Sequence, residues 1–137
     1  MCCGRVVLAD SHPGMLEGMR RMLETEARSV VMVADEASLI QAVDRMSPDL
    51  VVTDLSFPVS GAANVVQLIK QHHSQTKIIV VSVHDEPTVI DEVINAGAEG
   101  FVLKRRAVVD LIPAIREVCQ GRRRYVPTGI PGGNSEP

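Results

Sequence analysis

With 137 residues, 45% of them hydrophobic and 23% charged, the chain is long enough for one compact domain and too short for two ordinary ones. A net charge of −3 gives no pull toward nucleic acid or an anionic membrane surface, and the balance is neither disordered nor fibrous. No apolar run approaches the roughly 20 residues needed to cross a bilayer. Residues 1–5 carry no apolar secretory stretch, so a cytoplasmic location is expected. The three cysteines, Cys2, Cys3 and Cys119, form neither a disulfide framework nor a metal spacing. Cys119 is expected to pack as a small hydrophobe.

In chain order, a β-branched run at 5–9 predicts a strand, followed by Asp10-Ser11-His12-Pro13 and a helical stripe of Met15, Met19, Met22 and Leu23. A second strand is predicted at 29–34, with Leu39, Val43 and Met46 striping the helix after it. The third, 50–53, runs into Asp54 and the polar turn Leu55-Ser56-Phe57-Pro58. Val65, Val66 and Ile69 then mark a helix ending before His72-His73. The fourth strand, 77–82, ends in Ser82 and leads to Val83-His84-Asp85. Its helix carries Val89, Ile90, Val93 and Ile94 and closes at Gly97, a residue suited to a left-handed C-cap. The fifth strand, 100–103, ends at Lys104, and Val108, Leu111, Ile112, Ile115, Val118 and Cys119 stripe the last helix.

Strand–helix repeated five times with short connections predicts a doubly wound α/β sandwich of three layers on a five-stranded parallel sheet, flavodoxin-like in type. The Val and Ile content of the strands suits burial on both faces. Residues 1–126 are expected to form the domain. Residues 127–137, rich in Pro and Gly, read as a flexible tail or interdomain linker.

In such a sheet, ligands gather at the C-terminal strand ends where the winding reverses. Asp10, Asp54, Ser82 and Lys104 converge there from four strands. Carboxylates with a backbone carbonyl suit Mg²⁺. A carboxylate beside such an ion can attack phosphorus, while hydroxyl and ammonium groups hold the phosphoryl oxygens. Each residue alone has a plainer reading as a helix cap, a turn or a solvated lysine; the set carries the chemistry.

From about residue 5 to 124 the chain resembles the receiver domains of two-component response regulators. The resemblance lies in Asp10-x-His12-Pro13, Asp54-Leu55-x-x-Pro58, Ser82 and Gly100-Phe101-x-x-Lys104. It is nearest to receivers of the nitrate-regulator type, attached to helix-turn-helix outputs, through Ala9-Asp10-Ser11-His12-Pro13, Ala96-Gly97-Ala98-Glu99-Gly100-Phe101 and 121–127. The resemblance implies Asp54 as phosphoacceptor, Asp10, Asp54 and the Ser56 carbonyl as Mg²⁺ ligands, and Ser82 and Phe101 as switch residues. It implies Lys104 and Ser82 as phosphate-binding groups, with Asp54 and Lys104 carrying the chemistry. It further implies a sensor histidine kinase as donor and a regulatory domain rather than an enzyme. Its outputs would be dimerisation or control of an attached or partner transcription effector. This domain itself is expected to contact neither nucleic acid nor membrane.

One position departs from that pattern. Receivers carry two adjacent acids after the first strand, and here the second is Ser11, which removes a carboxylate from a site with few protein ligands. An alternative is therefore a pseudo-receiver, an interaction module not governed by phosphate. A flavodoxin-like enzyme is disfavoured, because no Gly/Thr-rich loop follows the first strand and only Tyr125 could stack on a flavin. His12 is read as packing or capping, since no second imidazole joins it. His84 is read as a loop residue flanking the site, His72 and His73 as a solvated helix end, and Arg122-Arg123-Arg124 as complementing a helix dipole.

Overall fold

The structure, a computed structural model, describes residues 3–54, 62–121 and 125–126. Ser56, the Arg122-Arg123-Arg124 cluster and the 127–137 segment lie outside them. The elements alternate as expected: β1 (Cys3–Ala9), α1 (Pro13–Leu23), β2 (Ala27–Val33), α2 (Glu36–Met46), β3 (Leu50–Asp54), α3 (Ala62–His72), β4 (Lys77–Ser82), α4 (Pro87–Asn95), β5 (Gly100–Leu103) and α5 (Ala107–Cys119). The strands pair in parallel in the order β2-β1-β3-β4-β5. The winding reverses between β1 and β3, so the switch point lies at the ends of those two strands.

Alternation along each strand sends side chains to opposite faces. Val7, Val51, Ile78, Val80 and Phe101 pack beneath α2, α3 and α4, contacting Leu39, Val43, Val66, Ile69, Ile90 and Val93. Val6, Leu8, Leu50, Val52, Ile79 and Val81 pack beneath α1 and α5, against Met19, Leu23, Leu111, Ile115 and Val118. β3 is buried at every residue, as a central parallel strand must be.

Edge strand β2 is different: Val31 and Met32 are 37% and 41% exposed, so the expectation of burial on both faces fails there. β2 also starts earlier than its β-branched residues suggest. Pairing of Cys3 with Ala27 and Arg5 with Ser29 holds the polar stretch extended. In α5 the buried face is Ala107, Leu111, Ala114, Ile115 and Val118, leaving Val108 84% exposed and outside the stripe assigned to it. Cys119 packs, partly buried, against the core beneath α1 and α5 as expected, and is also disulfide-bonded.

Local chemistry fixes the helix ends. Asp35 accepts the Ser38 N–H at 2.7 Å at the start of α2, and this bond holds its carboxyl below the ordinary range. Gly97 ends α4 at φ +121°, and a Cβ there would lie 3.0 Å from Lys70 Cγ. That close approach matters because Lys70 donates from α3 to the Thr76 carbonyl (2.8 Å) and to Glu99 (2.5 Å). Glu99 in turn accepts the Ile78 N–H at 2.8 Å.

Ile79→Ala, which empties a fully buried site in β4, is expected to destabilise the domain by about 2–5 kcal/mol in urea unfolding. Val109→Ala, at a residue 59% exposed, should stay within about 0.5 kcal/mol of wild type. Equal losses would contradict the assignment of the α5 faces.

Candidate functional site

Asp10 follows β1 and Asp54 ends β3, so both carboxylates arrive at the switch point, one 0% and the other 3% exposed. Lys104 follows β5, two strands away from β3, and its stem crosses the end of β4 to reach them. Its Nζ donates to Asp54 Oδ2 at 2.9 Å and lies 3.2 Å from Asp10 Oδ2. The second contact is an ion pair rather than a directed hydrogen bond, and Asp10 Oδ2 has no hydrogen-bond partner among the described residues. Burial works against the Lys104 charge, but the hydrogen bond to Asp54 and the attraction of both carboxylates outweigh it, leaving its pKa above the ordinary lysine value.

Asp10 also organises the turn. Its Oδ1 accepts the His12 N–H at 2.8 Å, closing a local turn before α1. Pro13 restricts His12 to extended backbone, observed at φ −103° and ψ 112°. The His12 side chain makes no cap hydrogen bond, so the expected capping role is not what the structure shows. Its ring stands over the pocket, with Nδ1 3.1 Å from Asp10 Oδ1 and 4.0 Å from Asp54 Oδ2. Ser11, between Asp10 and His12, is exposed.

Ser82 is fully buried at the end of β4, one residue beyond the Val81 that pairs with Asp54. Its oxygen accepts the His84 N–H at 2.9 Å, a bond that leaves the hydroxyl proton free to donate. The His84 ring is half exposed, and its Nδ1 lies 3.6 Å from Glu86 Oε1. Phe101 is 0% exposed beneath α2–α4, so any rotamer switch there starts from a buried ring.

The structure thus brings Asp10, Asp54 and Lys104 into contact, sets Ser82 at the adjacent strand end and keeps Phe101 in the core. Two features were not anticipated. One is His12 over the carboxylates, foreshadowed only by its place two residues after Asp10 and before Pro13. The other is His73, read as solvated, whose Nε2 pairs with Asp44 Oδ1 at 2.8 Å beside a cavity of about 170 Å³ lined by Ile40, Val43 and Leu68.

A buried acid pair bridged by lysine, opened by a turn with no glycine-rich phosphate cradle, sets this domain apart from the flavin and dinucleotide carriers built on similar sheets. Its class is that of acid-pocket α/β domains. Residues 6–116 match the family model described as the response regulator receiver domain, and the chain belongs to that family.

Among curated relatives, the probable transcriptional regulatory protein NarL of Mycobacterium tuberculosis is 29% identical over 130 residues, 93% of this chain and 60% of that protein. Transcriptional regulatory protein RcsB of Escherichia coli is 32% identical over 130 residues, 91% of this chain and 60% of that protein. The chain therefore spans about three fifths of their length. The isolated receiver domain of RcsB from Salmonella enterica serovar Typhimurium, solved with the phosphomimetic BeF3⁻, superposes with a TM-score of 0.83 at 29% identity. That match covers 93% of this chain and 95% of the solved one. RcsB in complex with DNA gives a TM-score of 0.82 at 29% identity, covering 93% of this chain and 65% of RcsB.

Lys104 gives the pocket a pH signature. A lysine whose folded pKa stands above its unfolded value stabilises the fold fully below the unfolded value, and that contribution fades as pH rises through the folded one. Lys104→Gln should lower stability by about 1–3 kcal/mol near neutral pH, because two buried carboxylates lose their shared cation. The gap to wild type should narrow above pH ~10 as the wild-type ammonium deprotonates. Urea unfolding at both pH values checks this, and a constant gap would show that the lysine acts by packing alone.

Proposed function

We propose that the domain is a phosphorylation-dependent switch that receives a phosphoryl group on Asp54 from the phosphohistidine of a sensor kinase. The observation that carries this reading is the Lys104 ammonium shared by two buried carboxylates at the sheet's switch point. An Asp54 carboxylate oxygen attacks phosphorus, the P–N bond breaks, and the departing imidazole nitrogen keeps the electron pair and takes a proton from solvent. Lys104 orients Asp54 beforehand and pairs with the incoming phosphoryl oxygens afterwards. Ser82, with its hydroxyl proton uncommitted by the His84 bond, donates to one of those oxygens.

The donor set tests the implied metal. Two buried carboxylates, one with an oxygen lacking a directed hydrogen bond, fit a hard cation. Asp10, Asp54 and the Ser56 carbonyl would hold Mg²⁺, which when bound supplies neutralisation of charge on the transferring phosphoryl group.

The readout belongs to the sheet edge around Ser82 and β5. Drawing the hydroxyl toward a phosphoryl group biases a two-state equilibrium in the surface formed by α4, β5 and α5. Phe101, already buried, contributes by repacking and not by swinging in from solvent. We read the output as dimerisation or control of a transcription effector, by analogy with relatives named as transcriptional regulators. Catalysis stops at self-phosphorylation and slow self-dephosphorylation. No helix among the described residues is long and apolar enough to cross a membrane, in keeping with a cytoplasmic place of action. Ser11, a neutral hydroxyl beside Asp10 where a second acid would stand, favours a second reading, the interaction module that keeps the fold without phosphate control.

Intact-mass spectrometry after incubation with acetyl phosphate and Mg²⁺ separates the two. Wild type is expected to gain one phosphoryl group and Asp54→Asn none. An adduct that survives the substitution would sink Asp54 as acceptor, and no adduct in either protein would favour the interaction module.

A further inference from the structure

Ser11 removes the carboxylate that would ordinarily sit next to Asp10, but the pocket is not left with two side-chain ligands. We infer that His12 supplies the third, making a two-carboxylate, one-imidazole site that prefers a borderline transition ion such as Co²⁺ or Zn²⁺ over Mg²⁺. This rests on reading the pocket as a divalent-cation site.

The geometry allows one ion to be shared. Two donors bound to a single ion at ~2.1 Å lie between ~3.0 Å apart when adjacent and ~4.2 Å when opposite. His12 Nδ1 stands 3.1 Å from Asp10 Oδ1 and 4.0 Å from Asp54 Oδ2, inside that window for both. One donor atom from each of Asp10, His12 and Asp54 lies within 4.8 Å of the other two.

A second observation points into the same space. Asp10 Oδ2 is buried and lacks a hydrogen-bond partner among the described residues, with only the Lys104 charge at 3.2 Å. Asp10 therefore has one oxygen toward the imidazole and another that a cation could share with the ammonium. The His12 side chain is 66% exposed, so its Nδ1 stands at the mouth of the pocket where an ion enters from solvent.

Ligand type then sets selectivity. Mg²⁺ wants oxygen donors in near-octahedral order and gains little from imidazole, whereas Co²⁺, Ni²⁺ and Zn²⁺ bind imidazole well. Replacing an acid by serine weakens the hold on Mg²⁺ by removing charge. The imidazole restores a ligand only for ions that favour nitrogen.

The test is metal binding itself, read without any phosphoryl donor, so its failure is separate from failure of Asp54 as acceptor. Co²⁺ and Mg²⁺ are titrated into the full chain, following Co²⁺ absorption and the NMR signals of the His12 ring. Wild type should bind Co²⁺ at least about tenfold more tightly than Mg²⁺, with paramagnetic shifts on that ring. His12→Ala should lower Co²⁺ affinity by about tenfold or more and leave Mg²⁺ affinity within about threefold. Ser11→Asp should strengthen Mg²⁺ binding and shrink the Co²⁺ preference. Unshifted His12 signals, or equal losses for both ions in His12→Ala, would overturn the proposal.

Discussion

Two carboxylates with 0% and 3% exposure are costly to bury side by side in a domain interior without a cation within reach. Lys104 answers that constraint, and much of the fold serves to deliver it. The lysine starts on the far side of β4 from Asp54. With neighbouring strands about 4.8 Å apart, its head must cover the end of an intervening strand to meet both acids. Register makes this feasible: Asp54 pairs with Val81 and Ser82 with Leu103, so the ends of β3, β4 and β5 step forward together.

The same constraint explains why the pocket suits signalling. A shared ammonium holds the acids in place, yet its hydrogen bond to one and looser ion pair with the other leave charge to be redistributed. An incoming anion on Asp54 would reassign the lysine, and with it the hydroxyl of Ser82 at the neighbouring strand end. On the proposed reading, the switch is a rearrangement among charges already buried, without creation of a new cavity. Around it the core is closely filled on both faces of the sheet, and packed cores pass small shifts into discrete rearrangements rather than absorbing them.

Further from the pocket, ion pairs tie elements that the chain order keeps apart. Arg116 of α5 reaches Glu26 at 2.8 Å, just before β2, and holds that carboxyl below its ordinary range. Lys70 and Glu99 link α3 to the turn before β5. These contacts join helices of both layers to strand ends.

The alternation of β-branched runs with helical stripes was legible from the residues alone, because periods of 2 and 3.6 survive in the chain whatever it packs against. The acids, the serine and the lysine at strand ends were legible for the same reason: a parallel sheet collects its strand ends on one edge. What the residues could not settle depended on neighbours distant in sequence. β2 took an exposed edge position, and Val108 fell one residue outside the buried face of α5, because burial is decided by which surface is left over once the layers assemble. His12 looked like a cap and His73 like a solvated end until Asp54 and Asp44, 42 and 29 residues away, were brought beside them. Local pattern determined the elements and the roster of polar residues at one edge. Only tertiary packing decided which of those charges face each other, since electrostatic partners are chosen by distance in space.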